Sequence, residues 1–142
     1  MNFAYIRRWL RSLRSRRRPP DDRHALGRRG ERAAARFLKR RGCRVLARNY
    51  RCPAGEIDLI CADADMIVFV EVKTRSGTDV QDPQEAIHPS QWRRIESAAR
   101  YFRSARSAHD RPCRFDVVTV VWPTGEPMTI EHFEDAHQAR RA

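Results

Sequence analysis

Asp58 interrupts an apolar run between Ile57 and Leu59, and Glu71-Val72-Lys73 interrupts a second run that begins at Met66. Side chains alternate along an extended chain, so Glu71 and Lys73 share one face while Val68, Val70 and Val72 point to the other. Burying ionisable groups on such a face costs several kcal/mol unless they are paired, hydrated or bound to a metal. If the two runs form a hairpin, the two carboxylates come close and repel unless a proton or a divalent cation intervenes. Mg²⁺ or Mn²⁺, hard cations that take oxygen ligands, suit Asp58 and Glu71. Such an ion bridges a phosphate oxygen and a water, polarises the phosphorus and lowers the pKa of the attacking water.

Lys73 is informative because the chain avoids lysine. Of 29 basic residues, only Lys39 and Lys73 are not arginine. A compact ammonium beside the attacking water orients it and offsets developing charge, whereas a guanidinium is bulkier and more strongly committed to its charge. The competing reading is a cross-strand ion pair, Asp58 or Glu71 with Lys73, and no metal. The apolar stretch from Ile67 to Val72 makes an ornamental pair there costly.

These residues need elements to hold them. Arg44 to Tyr50, Glu56 to Cys61 and Met66 to Lys73 read as strands, with a tight link at Ala62-Asp63-Ala64-Asp65 that makes the second and third an antiparallel hairpin. A helix from about Asp21-Asp22 to Arg41, stopped at Gly42, presents Leu26, Gly30, Ala33, Ala34, Phe37 and Leu38 as its apolar face. Glu31 lies about 20° from Leu38 on the helical wheel, an acid at the edge of that packing surface. Its bland alternative is a solvated carboxylate near an arginine.

Another helix runs from near Pro89-Ser90 to about Ser107, with Trp92, Ile95, Ala99 and Phe102 inward. Arg114 to Val121 reads as a buried strand. A short strand around Thr129 to His132 and a polar tail to Ala142 complete the chain. The order is α/β, with a mixed sheet flanked by helices, because the hairpin is antiparallel and the helical crossover returns parallel.

Length and charge set further bounds. A chain of 142 residues supplies one core, and no window approaches the roughly 18 apolar residues of a spanning helix. The net charge of +11 favours polyanions or anionic membrane surfaces. Seven arginines fall before residue 20, leaving a net +4 after Pro20. Residues 1–20 read as a basic amphipathic extension, with residues 21–142 as the domain. Three readings of the extension stay open: a nucleic-acid arm, a membrane-surface anchor or a dispensable piece. Cys43, Cys52, Cys61 and Cys113 lack zinc spacing, and the N-terminus has no apolar signal core, so reduced thiols in a cytoplasm are expected.

The ordered series Gly27-x-x-Gly30-Glu31-x-x-Ala34, Asn49-Tyr50-Arg51, Gly55-Glu56-Ile57-Asp58-Leu59-Ile60, Val68-Phe69-Val70-Glu71-Val72-Lys73-x-Arg75 and Arg114-Phe115-Asp116-Val117-Val118 resembles the YraN-type family. These are uncharacterised bacterial proteins regarded as predicted endonucleases, distantly similar to archaeal Holliday junction resolvases. The resemblance covers roughly 110 residues, from Gly27 to about Ala136. It implies a restriction-endonuclease-like fold and a PD-(D/E)XK site, with Asp58 and Glu71 as the metal-binding acids and Lys73 as the lysine. The carbonyl of Val72 would be available to the metal, and Glu31 would be the additional acid from the first helix. Gln91 stands where the family often has lysine, and faces inward on its helix with a capping or packing role as the alternative. His137 stands where relatives usually have an aromatic residue.

The expectation is a Mg²⁺- or Mn²⁺-dependent endonuclease acting on nucleic acid, DNA above RNA, with monomer and homodimer both left open. The alternative is a nucleic-acid-binding protein that keeps the nuclease fold without catalysis. Asp116 is expected to pair with Arg114 or an interior backbone group, a site role being its lesser reading. Arg93, Arg100 and Arg103 read as a solvated helix face that, with Arg75, is also placed to track phosphates.

Overall fold

The computed structural model describes residues 22–76, 87–123 and 125–139. The basic extension over residues 1–20 lies outside the described residues. Helix α1, Asp22–Arg40, forms because Ala34, Ala35 and Leu38 recur at helical spacing and are all buried. It ends at Gly42, whose φ of 90° is open to glycine at little cost, and the Gly42 and Cys43 N–H groups donate to the carbonyls of Lys39 and Leu38.

Strands β1 (Arg44–Cys52), β2 (Gly55–Asp63) and β3 (Met66–Arg75) follow, then helix α2 (Pro89–Ala105), β4 (Cys113–Val121) and β5 (Thr129–His137). The five strands lie side by side in chain order. All neighbours are antiparallel except β3 and β4, which α2 joins as a parallel crossover. The α/β class and the mixed sheet expected from the element order are those observed. The expected antiparallel hairpin is β2 and β3.

Alternation along β3 divides the core. Ile67 and Phe69 pack with Trp92, Ile95, Ala99 and Phe102 of α2, while Val68, Val70 and Val72 pack with Ala34, Ala35 and Leu38 of α1. Each helix therefore covers one face of the sheet. At Gly30 of α1 an added Cβ would sit 1.9 Å from Thr74 Oγ1, so only glycine permits α1 to approach the end of β3 this closely.

The last strand corrects the expectation. It does not stop at His132 but runs to His137. A register shift opposite Phe115 and Val117, together with a positive φ at Asp135, breaks its alternation and returns Ala136 and His137 to the core. His137 stacks on Trp92 with ring centroids 4.2 Å apart and planes 6° from parallel. A flat imidazole thus fills the position for which the resemblance implied an aromatic ring.

Candidate functional site

Where β2 meets β3 the ladder stops at Leu59 and Val70. One step further, the Val72 N–H donates to Asp58 Oδ2 at 2.8 Å instead of to a main-chain carbonyl of β2. The sheet forks at this point, since β1 stays paired to β2 as far as Cys52 and Gly55 while β3 stays paired to β4 as far as Arg75 and Val121. An aspartate suits the mouth of the fork because its carboxylate replaces the lost backbone acceptor.

Asn49 marks the same place in β1. Pairing between β1 and β2 passes over Asn49 and Asp58, and Asn49 has a φ of 47°. Asparagine tolerates this left-handed conformation better than most residues. On either side of the kink, Ala47 and Tyr50 both pack toward α2, as do Ile57 and Ile60 in β2. The alternation of both strands slips beside Asp58.

Glu71 and Lys73 continue the α2 face of β3, and Gln91 in the first turn of α2 meets them. Gln91 Nε2 donates to Glu71 Oε1 at 2.7 Å, Lys73 Nζ donates to Gln91 Oε1 at 3.3 Å, and Lys73 Nζ lies 3.2 Å from Glu71 Oε1. Gln91 therefore bridges acid and lysine, and the inward orientation read from the wheel is the one observed. Among the described residues, no N–H donor reaches Asp58 Oδ1 or Glu71 Oε2.

The carboxylates at the fork are electrostatically strained. Burial, followed by the charge of the facing Glu71 carboxylate, pushes the Asp58 carboxyl up to about 7, against the opposing effects of the Val72 N–H and Lys73. Glu31 borders an open cleft of about 500 Å³ that Asp58 also lines. Burial and then the charge of Asp58 raise its carboxyl above the ordinary value, while the Asn49 side chain opposes the shift. The structure thus draws Asp58, Glu71, Lys73 and Gln91 together and leaves Glu31 at the margin, with Asn49 beside it. Asn49 had no assigned role in the sequence beyond its place in a motif. Its signal was an asparagine inside a strand-like run.

Two hard carboxylates with free lone pairs, facing one another and short of positive charge, fit a hard divalent cation better than a soft one. Among the described residues, no three His, Cys, Asp or Glu side chains form a closed metal cage. A cation here would rest on two carboxylates and leave its other positions to water or substrate oxygens.

Asp116 lies elsewhere. It is fully buried on the α1 face of β4, where Arg114 Nε donates to both of its oxygens at 3.0 and 3.1 Å, His132 Nε2 lies 2.7 Å from Oδ2 and the Asp135 N–H donates to Oδ1 at 3.0 Å. Burial alone would raise its carboxyl; the donors from His132, Arg114 and Asp135 outweigh burial and hold it below the ordinary value. Its expected pairing with Arg114 and a backbone group is observed. Arg103, read from the sequence as helix surface, donates to the carbonyls of Ala108, His109 and Arg111 and holds the turn after α2. No described helix is long and apolar enough to cross a membrane.

Residues 30–120 match the sequence profile of a family described as "Uncharacterised protein family UPF0102". A UPF0102 protein of Pelotomaculum thermopropionicum is 42% identical over 117 residues, covering 82% of this chain and 98% of its own length. One of Nitratidesulfovibrio vulgaris is 46% identical over 116 residues, covering 82% and 86%. One of Moorella thermoacetica is 47% identical over 91 residues, covering 64% and 76%.

Proposed function

The chain belongs to the UPF0102 family, and for this member we propose a metal-dependent endonuclease that hydrolyses phosphodiester bonds of nucleic acid, DNA in the first instance, through a restriction-endonuclease-like PD-(D/E)XK site. The observation that carries the reading is the fork, where Asp58 and Glu71 face one another with Lys73 and Gln91 against them and too little positive charge to balance the acids. An acid pair kept in this state is a standing cost to the fold, and a bound cation relieves it.

Asp58 and Glu71 would hold the cation through carboxylate oxygens that accept from no N–H among the described residues. Val72, by donating to Asp58 Oδ2, fixes the direction of that carboxylate. Gln91 holds Glu71 and Lys73 in one arrangement and keeps the ammonium within reach of the site. When bound, Mg²⁺ or Mn²⁺ supplies polarisation of the phosphodiester and acidifies a water. Lys73 orients that water and offsets charge that develops on the phosphate oxygens. Glu31, which lines the same cleft as Asp58, would accept a proton or position a second water.

Calorimetric titration with Mn²⁺ tests the assignment. Wild type is expected to bind one cation, and Asp58→Asn or Glu71→Gln each to weaken binding strongly while the fold survives, since an amide bears no charge and is the poorer ligand. Equal cation affinity in all three proteins overturns the metal site.

A further inference from the structure

A second concave surface lies on the other flank of α1, away from Asn49 and Asp58. It is a groove of about 490 Å³ between α1 and the chain leaving β4 and entering β5. Arg29, Arg32, Arg36 and Arg40 border it, and Phe37, Trp122 and Ile130 form its apolar lining. The four arginines recur at steps of three and four residues, so they form one stripe along the exposed side of the helix. At about 1.5 Å rise per residue the stripe extends about 16 Å, with a cation every 5 to 6 Å or so. All four are exposed, and none is in an ion pair among the described residues.

A solvated arginine face alone would be ordinary surface. The lining is what distinguishes this one. Trp122 and Phe37 are both half-buried, and the Arg29 guanidinium lies 4.2 Å from the centre of the Trp122 ring. A flat cation on a flat π face forms a layer that a nucleobase can extend by stacking. Opposite the helix the alternation of β5 turns Ile130 toward the groove while Glu131 takes the other face, so the lining stays free of acid.

We propose that this groove docks single-stranded nucleic acid, with phosphates along Arg32, Arg36 and Arg40 and an unpaired base stacked on the layer that Arg29 and Trp122 form. A duplex would use the arginines but has no free base face for the indole. A membrane anchor would present its apolar groups outward, whereas Trp122 and Phe37 sit in a concavity beneath arginines. An acidic peptide would satisfy the charges without using the aromatic rings. The inference rests on the nuclease reading for its biological setting but not for its binding. Under that reading it names the substrate class as one with a single-stranded segment that reaches α1.

Binding is measured on the full chain in chelator, which separates docking from cleavage. The probes are labelled oligothymidylate, a duplex of equal length and vesicles containing anionic phospholipid. Arg36→Gln combined with Arg40→Gln is expected to weaken oligothymidylate binding and flatten the slope of log affinity against log salt by up to about 0.7 for each phosphate no longer neutralised. Trp122→Leu should weaken it about tenfold with the slope unchanged, because it removes stacking and not charge. The two arginines are exposed and their replacement leaves the core intact, so this variant decides alone if Trp122→Leu unfolds. Unchanged oligothymidylate binding in the arginine variant, an equal loss on the duplex, or a loss confined to vesicles overturns the proposal. A chain that passes this test yet cleaves nothing keeps the groove and loses the nuclease reading; cleavage with unaltered binding in both variants does the reverse.

Discussion

The sheet buries two acid clusters on opposite faces, and they differ in what surrounds them. Asp116 is wholly enclosed and held by donors from Arg114, His132 and the Asp135 backbone, so its charge is stabilised. Asp58 has one backbone donor and a second carboxylate beside it, so its charge is opposed. The two environments push their carboxyls in contrary directions. Burial is common to both and cannot be the cause of the difference; the number and sign of the neighbours is. A paired acid is part of the framework, whereas an acid left short of positive charge is where the proposed cation would offset the opposed charge.

The strongest way to break the comparison is to remove the acid from the paired cluster. Asp116→Ala leaves Arg114 and His132 buried without their partner; among the described residues, the ion pairs remaining for Arg114 are a 3.9 Å approach from Glu134 and a 3.2 Å pair with Asp63. The expected loss of unfolding free energy is about 3 to 5 kcal/mol, read by denaturant titration. A loss below about 1 kcal/mol would mean that the cluster is not part of the framework.

Lys73→Ala probes the other side. If Lys73 serves the attacking water, cleavage falls by about a hundredfold or more while nucleic-acid binding changes little. A variant that melts lower and cleaves at the normal rate would show a structural ion pair with Glu71.

The smallest effect sharpens the contrast through pH. Asp58 has its carboxyl raised from 3.8 to about 7, so the folded chain holds a proton that the unfolded chain releases. Its favourable contribution is fully present below about pH 4 and is lost as the pH rises through about 7. Asp58→Asn keeps an oxygen for the Val72 N–H, so in chelator its melting temperature relative to wild type should climb between about pH 4 and about pH 7 and level off above that. Asp116, with a lowered carboxyl, follows the opposite sign: its contribution is present above the ordinary carboxylate value and is lost as acid is added. A difference between Asp58→Asn and wild type that does not vary with pH would contradict the strain at the fork.

The hairpin, the parallel crossover and the inward stripe of α2 were legible in the sequence because each depends on local periodicity. Asp58, Glu71 and Lys73 were legible because they break that periodicity in apolar runs, and Glu31 because a helical wheel fixes its angle. The fork was not. It depends on pairing that ends at Leu59 and Val70 and on the left-handed backbone of Asn49, neither of which has a periodic signature. The length of β5 was hidden for the same reason, since its bulge turns a polar-looking tail into a strand that carries His137 onto Trp92. Asp116 could be matched to Arg114 two residues away, but not to His132, which reaches it only through the pairing of β4 with β5.

The most direct test of the nuclease reading is backbone scission of linear duplex, single-stranded and four-way-junction DNA by the full chain, in Mg²⁺ or Mn²⁺ and in chelator, with Glu71→Gln run alongside. Cuts are expected in at least one substrate; they should require the cation and disappear in Glu71→Gln, while Glu71→Gln still binds that substrate. Scission that persists in chelator or survives Glu71→Gln would contradict the nuclease reading, and binding without scission under every condition would leave the chain as a nucleic-acid-binding member of the fold.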